Sequence, residues 1–408
     1  MTAEVHCRSC GAPSLRPILS LGRTPLANAL LTEAQLGEPE ELFPLDLAFC
    51  TACSLVQITE TVPPEKLFRE YVYFSSFSEG ALRNAEAVVT RTIAQRSLGG
   101  HSLAAEIASN DGYLLQYYKA RGVPVLGIEP ARNIAKVAND KGITTLCEFF
   151  GKDLAMTLAR EGRRADVIHA NNVLAHVADL NGFVAGIAAF LAPTGVAIIE
   201  VPYLKDLLDK LEFDTIYHEH LCYFSLTALE RIFSRHGLIV SDVEWLPIHG
   251  GSLRVSVSLQ GHATPSDAVR EYLARERGWG VDDPATYESF GRRVDELKGK
   301  LVRLLDELRR DGKSIVAYGA SSKGSTLLNY FGIGRERLAY VVDRSTVKQG
   351  LYTPGTHLPI HAPERLAEQP DYVLLLTWNF ADEIMAQQDA YRRAGGRFII
   401  PLPEPRVV

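Results

Sequence analysis

The stretch Leu103-Ala-Ala-Glu106-Ile-Ala-Ser-Asn110-Asp111-Gly112 decides how this chain of 408 residues folds. An apolar run passes into small and polar residues, and Gly112 permits a tight turn from a strand into a helix. Asn110 and Asp111 can engage polar ligand atoms in such a turn. The next apolar run ends in Gly127-Ile-Glu129-Pro130. An acid at the end of the second strand, roughly 20 residues beyond the glycine turn, is placed to accept both hydroxyls of a ribose. The loop lacks the three glycines that make room for a pyrophosphate, which disfavours a dinucleotide. A nucleoside with an amino-acid tail and no phosphate, S-adenosylmethionine, suits the acidic pair Glu106 and Glu129 better. The bland alternative is a Rossmann-like sheet without a ligand.

The pattern continues on both sides of this turn. Strand candidates at 103–108, 124–128, 144–146, 166–170 and 195–201 alternate with amphipathic stretches. Those at 238–244 and 253–259 follow with a hairpin pattern. This alternation predicts a mainly parallel sheet covered by helices on both faces. Ligands bind beyond the carboxyl ends of such strands, so Asn171, Asn172 and His176 face the crevice. Phe149 and Phe150, after the third strand, either sandwich an adenine or belong to the core. Residues 66–100 read as helical, and 287–311 as a charged helix with a leucine face. From Ser314 a second α/β pattern begins. Its turn Tyr318-Gly-Ala-Ser321-Ser322-Lys323-Gly324 places hydroxyls and a lysine at a helix start, a site for a phosphate or pyrophosphate.

Six cysteines are present, and four of them form the pairs Cys7-Arg-Ser-Cys10 and Cys50-Thr-Ala-Cys53. Two such knuckles match a four-thiolate zinc site, closed and structural, with one ion per chain. Two redox dithiols are the competing reading. The net charge is -6, hydrophobic residues make up 46%, and no basic stripe is present. These values predict a globular chain that binds neither nucleic acid nor membrane, located in the cytoplasm.

One further segment carries chemistry. Tyr217-His218-Glu219-His220 lies within an apolar surround of Phe213, Ile216, Leu221, Tyr223 and Phe224. Burial of an imidazole beside a carboxylate shifts their pKa values and prepares a base for proton abstraction from a carbon acid. A buried His-Glu hydrogen bond without chemistry is the plain alternative. If the segment is extended, His218 and His220 share one face, and spacing does not choose between them.

Taken together, these stretches resemble the sugar C-methyltransferases that act on nucleotide-linked 4-keto deoxyhexoses. The resemblance runs over almost the whole chain. It includes the four-cysteine module, Glu70-Tyr-Val-Tyr73-Phe-Ser75-Ser76, the Glu106–Gly112 turn and the 217–224 block. Pro247-Ile-His249-Gly-Gly-Ser252 and the late Tyr-Gly-Ala-x-x-Lys-Gly belong to it as well. It implies an α/β protein in three parts. These are a zinc module over 1–65, a class I methyltransferase domain of Rossmann type over 66–285, and a second Rossmann-like domain over 286–408. It selects His220 as the base, with Tyr217 and Glu219 beside it, and lets His176 and Tyr73 line the sugar site. Ser75, Ser76 and His249 are expected to touch the sugar nucleotide, and Tyr318, Ser321, Ser322 and Lys323 to hold its nucleotide or diphosphate. Glu106, Asn110, Asp111, Gly112, Glu129, Pro130, Phe149, Phe150, Asn171 and Asn172 are the expected methyl-donor residues. The expected reaction is methylation of the carbon next to the ketone, carbon 3 before carbon 5, on a dTDP-linked sugar, by a monomeric enzyme. Methylation of a hydroxyl and a non-catalytic binding module are the alternatives.

Overall fold

The computed structural model describes residues 5–69, 74–248 and 250–408. Tyr73 and His249, both expected at the sugar site, lie outside the described residues, as does the Glu70–Tyr73 part of the motif quoted above.

Three sheets organise the chain. The first begins with β1 (Leu15–Thr24), β2 (Phe43–Cys50) and β3 (Val56–Ile58), joined antiparallel. The central sheet is built from β4 (Ala104–Ile107), β5 (Val125–Ile128), β6 (Thr145–Leu146), β7 (Ala165–Asn171) and β8 (Leu191–Pro202), all parallel. The short strand β9 (Cys222–Tyr223) leaves this domain and pairs with β3, which completes the first sheet in the order β1-β2-β3-β9. β10 (Leu238–Leu246) and β11 (Ser252–Leu259) then return to the central sheet as the expected hairpin. Its order is β10-β11-β8-β7-β4-β5-β6, with β11 antiparallel to both neighbours. The strands expected from the sequence are all present, within a few residues of their bounds.

The third sheet holds β12 (Ile315–Tyr318), β13 (Val341–Val342), β14 (Ile360–His361), β15 (Tyr372–Leu375), β16 (Arg397–Ile400) and β17 (Arg406–Val407). Its order is β14-β13-β12-β15-β16-β17, parallel except for the last strand. The helix Pro284–Arg310 leads into it. Proline opens that helix, Asp283 caps it, and Leu297, Leu301 and Leu305 are its buried leucines. In the region read as helical, the described helical parts are a short helix Pro64–Phe68, a 3-10 turn Ser75–Phe77 and the helix Glu79–Arg96. Ser78 starts the last of these as its N-cap, accepting from Ala81 N. Among the described residues no helix is long and apolar enough to cross a membrane.

Each parallel sheet has one point where successive connections depart to opposite sides, and crevices form there. In the central sheet it lies between β4 and β7, beyond the turn at 108–112 and Asn171. In the third it lies between β12 and β15, beyond Gly319–Lys323 and Thr377-Trp378. Residues beside both points are hydrogen-bonded to one segment, 212–221. The carbonyl of Ala175, after β7, accepts from Leu221 N at 2.7 Å, and Trp378 Nε1, after β15, donates to Asp214 at 2.7 Å.

The turn after β4 depends on Gly112. Its φ is +79°, and a Cβ there would stand 2.9 Å from Ile143. Gly112→Ala is therefore expected to cost about 1–3 kcal/mol, from left-handed strain and overpacking together. Urea unfolding measures this, and an unchanged midpoint would show that the turn tolerates a side chain.

Candidate active site

Four cysteines from two separated knuckles converge. Their sulfurs lie within 4.8 Å of one another, with Cys7 and Cys53 at 3.4 Å and Cys10 and Cys50 at 3.6 Å. These separations are far too long for disulfides and close to the edge of about 3.8 Å that a tetrahedron with zinc–sulfur bonds of about 2.3 Å requires. The donor set fits a closed zinc site. The module is also tied to the central domain. Asn181 donates to the carbonyls of Arg8 and Ser9, at 2.8 and 3.2 Å.

At the carboxyl ends of β4, β5 and β7, the register sets Glu106 beside Gly127 and His169. Glu129 follows β5. Its two oxygens each accept one backbone N–H, from Asn110 and Ala131, both at 2.9 Å, which holds the carboxylate at the turn with lone pairs to spare. Asn110 and Asn172 both adopt left-handed φ values, +49° and +54°, conformations that asparagine tolerates better than most residues. Four acids gather here. Lys141 pairs with Asp111 at 2.9 Å and Arg254 with Glu200 at 2.6 Å. Among the described residues no cation pairs with Glu106 or Glu129. Burial, reinforced by Glu129 and Asp111, pushes the Glu106 carboxyl well above its usual range, and burial also raises Glu129. Among the described residues, buried oxygens of Glu106, Asp111, Asn171 and Asn172 have no hydrogen-bond partner. Acids short of cations and acceptors short of donors suit a cationic nucleoside with ribose hydroxyls and an ammonium group, so the residues present fit S-adenosylmethionine.

The remaining expected donor residues divide. The Pro130 carbonyl faces the Cys147 thiol at 3.8 Å. Phe149 lies under the Arg69 guanidinium at 4.6 Å, whereas Phe150 packs edge-on to Phe183 at 5.3 Å. Ser75 N donates to Asn110 Oδ1 at 2.9 Å, and the Ser76 hydroxyl bonds the Asp111 carboxylate. These two serines thus join the sugar-site motif to the turn after β4.

The 217–220 segment is a turn and not a strand, which corrects the conditional reading of an extended segment. A 3-10 turn at Phe213–Thr215 precedes it, and His220 N donates to the Tyr217 carbonyl at 2.9 Å. The turn separates the two histidines. His218 is 2% exposed and meets the Pro44 carbonyl at 3.0 Å, edge-on to Phe43. Burial lowers its pKa. It serves the contact with the zinc module. His220 instead has Nδ1 2.8 Å from the Thr215 carbonyl and Nε2 2.8 Å from the Tyr217 hydroxyl. A carbonyl only accepts, so Nδ1 carries the proton, and in the neutral ring Nε2 keeps a lone pair that accepts from the phenol. His176 stands edge-on to His220 at 4.8 Å between ring centres. Burial brings its pKa down to about 4, which keeps that ring neutral.

Residues not foreseen surround this turn. Asn28, from the loop after β1, donates to Glu219 at 2.6 Å. Asp214 is fully buried, and burial raises its carboxyl to about 6. Glu212, 3% exposed, is raised to about 7 by the same cause. Two carboxylates inside an apolar run were a readable signal, whereas Asn28 sits in an ordinary loop. On the opposite wall Ser321 caps the helix Ser322–Phe331, and Lys323 holds its buried ammonium over Trp378 at 4.9 Å. Tyr318 is 4% exposed, within the core of the third sheet.

Comparison with known proteins gives the following. Family models match residues 7–68 ("Putative zinc binding domain"), 105–242 ("Methyltransferase domain") and 247–403 ("C-methyltransferase C-terminal domain"). The C-methyltransferase NovU of Streptomyces niveus is 37% identical over 405 residues, covering 99% of this chain and 96% of that protein. Among solved structures, an S-adenosylmethionine-dependent methyltransferase from Clostridium acetobutylicum aligns with 44% of this chain and 92% of its own, at 12% identity and a TM-score of 0.37. Magnesium protoporphyrin IX methyltransferase from Synechocystis aligns with 44% of this chain and 83% of its own, at 16% identity and a TM-score of 0.35.

Metal analysis of the purified chain is expected to give about one zinc per chain, since four thiolates complete a tetrahedral site. Cys50→Ser is expected to lose the metal and to lower the melting temperature. A metal-free protein whose four thiols react freely while it stays folded would exclude the site.

Proposed function

The chain belongs to the S-adenosylmethionine-dependent C-methyltransferases, and from that premise we propose that it methylates the carbon next to the ketone of a nucleotide-linked 4-keto deoxy sugar, with His220 as the base. The observation that carries this reading is the fixed tautomer of His220. Its Nδ1–H is engaged by the Thr215 carbonyl, so the basic lone pair is on Nε2, where it meets the Tyr217 hydroxyl. A carbon acid flanking a ketone needs a base of this kind near neutral pH.

The reaction then follows from what each residue does. The sugar ring lies against His220, and Nε2 removes the proton from the carbon next to the carbonyl. The Tyr217 hydroxyl, displaced from Nε2, donates to the oxygen that gains negative charge. His176, neutral through burial, lines the same side and adds no competing positive charge. The donor, when bound at the β4–β7 edge, supplies a methyl group on a sulfonium, to which the enolate carbon bonds as the thioether leaves. Glu129 and Asn110 hold the donor by its ribose, and Glu106 faces its cationic part. The wall formed by Ser321, Ser322 and Lys323 takes the nucleotide, dTDP in the favoured case. Carbon 3 is the favoured position, being the commoner outcome in the family the sequence resembles.

Two variants test this reading. His220→Asn keeps the size and the Nδ1-side donor but lacks a lone pair of comparable basicity. Turnover is expected to fall by about 10²–10⁴-fold, the usual contribution of a general base. Solvent-deuterium exchange next to the ketone should vanish while both ligands still bind. Retained exchange would assign the base elsewhere. Glu129→Ala is expected to weaken donor binding at least about tenfold, since charge-assisted bonds to two hydroxyls are lost. Calorimetry should find sugar-nucleotide binding unchanged, and equal donor affinity would refute the placement.

A further inference from the structure

Asn28 stands where all three parts of the chain meet. Its Nδ2 donates to Glu219 Oε1 at 2.6 Å, and its Oδ1 accepts from the Ser322 hydroxyl at 2.8 Å. A carboxylate only accepts, so the orientation of the amide follows from the chemistry. Glu219 is 5% exposed and directly precedes His220. Ser322 opens the helix after β12. One side chain from the loop after β1 therefore spans the catalytic turn and the nucleotide wall.

The loop that presents Asn28 is itself fixed at both ends. Leu31 and Tyr352 exchange backbone hydrogen bonds at 2.9 and 2.8 Å. Pro25 packs against Gly355, where an added Cβ would come within 3.2 Å of its ring. Within the loop, Ala29 N donates to the Leu26 carbonyl at 3.0 Å. The same face of this helix is pinned one turn further on as well, since Thr326 donates to the Ile216 carbonyl at 3.3 Å.

We propose that Asn28 is a positioning residue of the methyl transfer, acting through the hydrogen-bonded line Ser322–Asn28–Glu219 that sets the catalytic turn against the nucleotide wall. This rests on the reading of the 217–220 turn as the site of chemistry. It gives the N-terminal module a part in the reaction beyond its metal. The direction of each bond matters. Glu219 needs a donor, and Ser322 needs an acceptor. An aspartate at 28 keeps the shape and the acceptor but faces one carboxylate with another.

The test compares full-length, zinc-loaded Asn28→Asp, Asn28→Ala, Ser322→Ala and the Asn28→Ala/Ser322→Ala double variant with the wild type. kcat is measured at saturating donor and sugar nucleotide, and melting temperature confirms folding. Asn28→Asp is expected to lower kcat at least about tenfold, equivalent to about 1.4 kcal/mol, and more than Asn28→Ala does. A merely space-filling role gives the reverse order, because aspartate is the closer replacement in shape. Ser322→Ala is expected to lower kcat less, and to add nothing to Asn28→Ala, since both break one line. Full additivity, wild-type kcat in Asn28→Asp, or aspartate milder than alanine would each overturn the proposal. If a variant at 28 does not fold, Ser322→Ala alone decides, and unchanged kcat there overturns it. A wild type that turns over no 4-keto sugar nucleotide overturns the parent reading and this one together, whereas a working wild type with unaffected variants overturns this one alone.

Discussion

The carbonyl oxygen of Thr215 can only accept a hydrogen bond, and His220 Nδ1 is the group that meets it, at 2.8 Å. That bond fixes the ring's tautomer and its plane, and with them the direction of the remaining lone pair. It is available because the backbone does not continue as a strand after Phe213–Thr215. The 3-10 turn brings the Thr215 carbonyl to the Nδ1 edge of the ring, and the following turn sends His218 away to Pro44. Tyr223, whose hydroxyl also approaches the Thr215 carbonyl, closes the other side. An imidazole with free choice of tautomer would present a lone pair on either nitrogen. Here one nitrogen is committed before any ligand arrives.

Holding that turn in place requires both Rossmann-like domains. The turn is met by His176 and the Ala175 carbonyl of the central domain and by Trp378 and Thr326 of the C-terminal one, while Ser322 reaches it through Asn28. These directed contacts are set within an apolar cluster that includes Phe213, Ile216, Leu327, Leu328 and Phe331. Phe213 stacks on Phe331 at 4.8 Å. Such an arrangement defines distances well while leaving half-buried groups beside it for a ligand. The carboxylates inside this seam are unusual. Glu212 and Asp214 are both raised by burial, and the Lys323 ammonium offsets part of that cost. Each carries a buried oxygen without a hydrogen-bond partner among the described residues, inside an otherwise largely apolar junction.

Much of this was readable from residue order alone. Strands of the two parallel sheets are short apolar runs bounded by Gly, Asn and Asp, so periodicity found them. The paired knuckles announced their metal because thiolate spacing is tied to tetrahedral geometry. Glu106, Gly112 and Glu129 were readable because a strand–turn–helix constrains which residues can occupy it. What was not readable came from contacts between distant segments. Nothing local marks Cys222-Tyr223 as a strand of the first sheet, since its partner Val56-Gln57 belongs to another region of the chain. Asn28 looks like any loop asparagine until Glu219 and Ser322 are brought to it. The choice between His218 and His220 failed on local grounds for a related reason. Alternation applies to extended backbone, and this backbone turns.

β9 has a consequence for the order of events at the ribosome. The first sheet lacks its last strand until the chain has been made through residue 223, long after the four cysteines have left the exit tunnel. Domains emerge and fold from the N-terminus, at about 5–20 residues per second during synthesis. For that interval the knuckles can take up their ion, but the edge of β3 remains uncovered, with unpaired backbone groups that invite pairing with another chain. The strand that eventually covers this edge begins two residues after His220. Completion of the first sheet and placement of His220 therefore both wait for the same late segment of the chain.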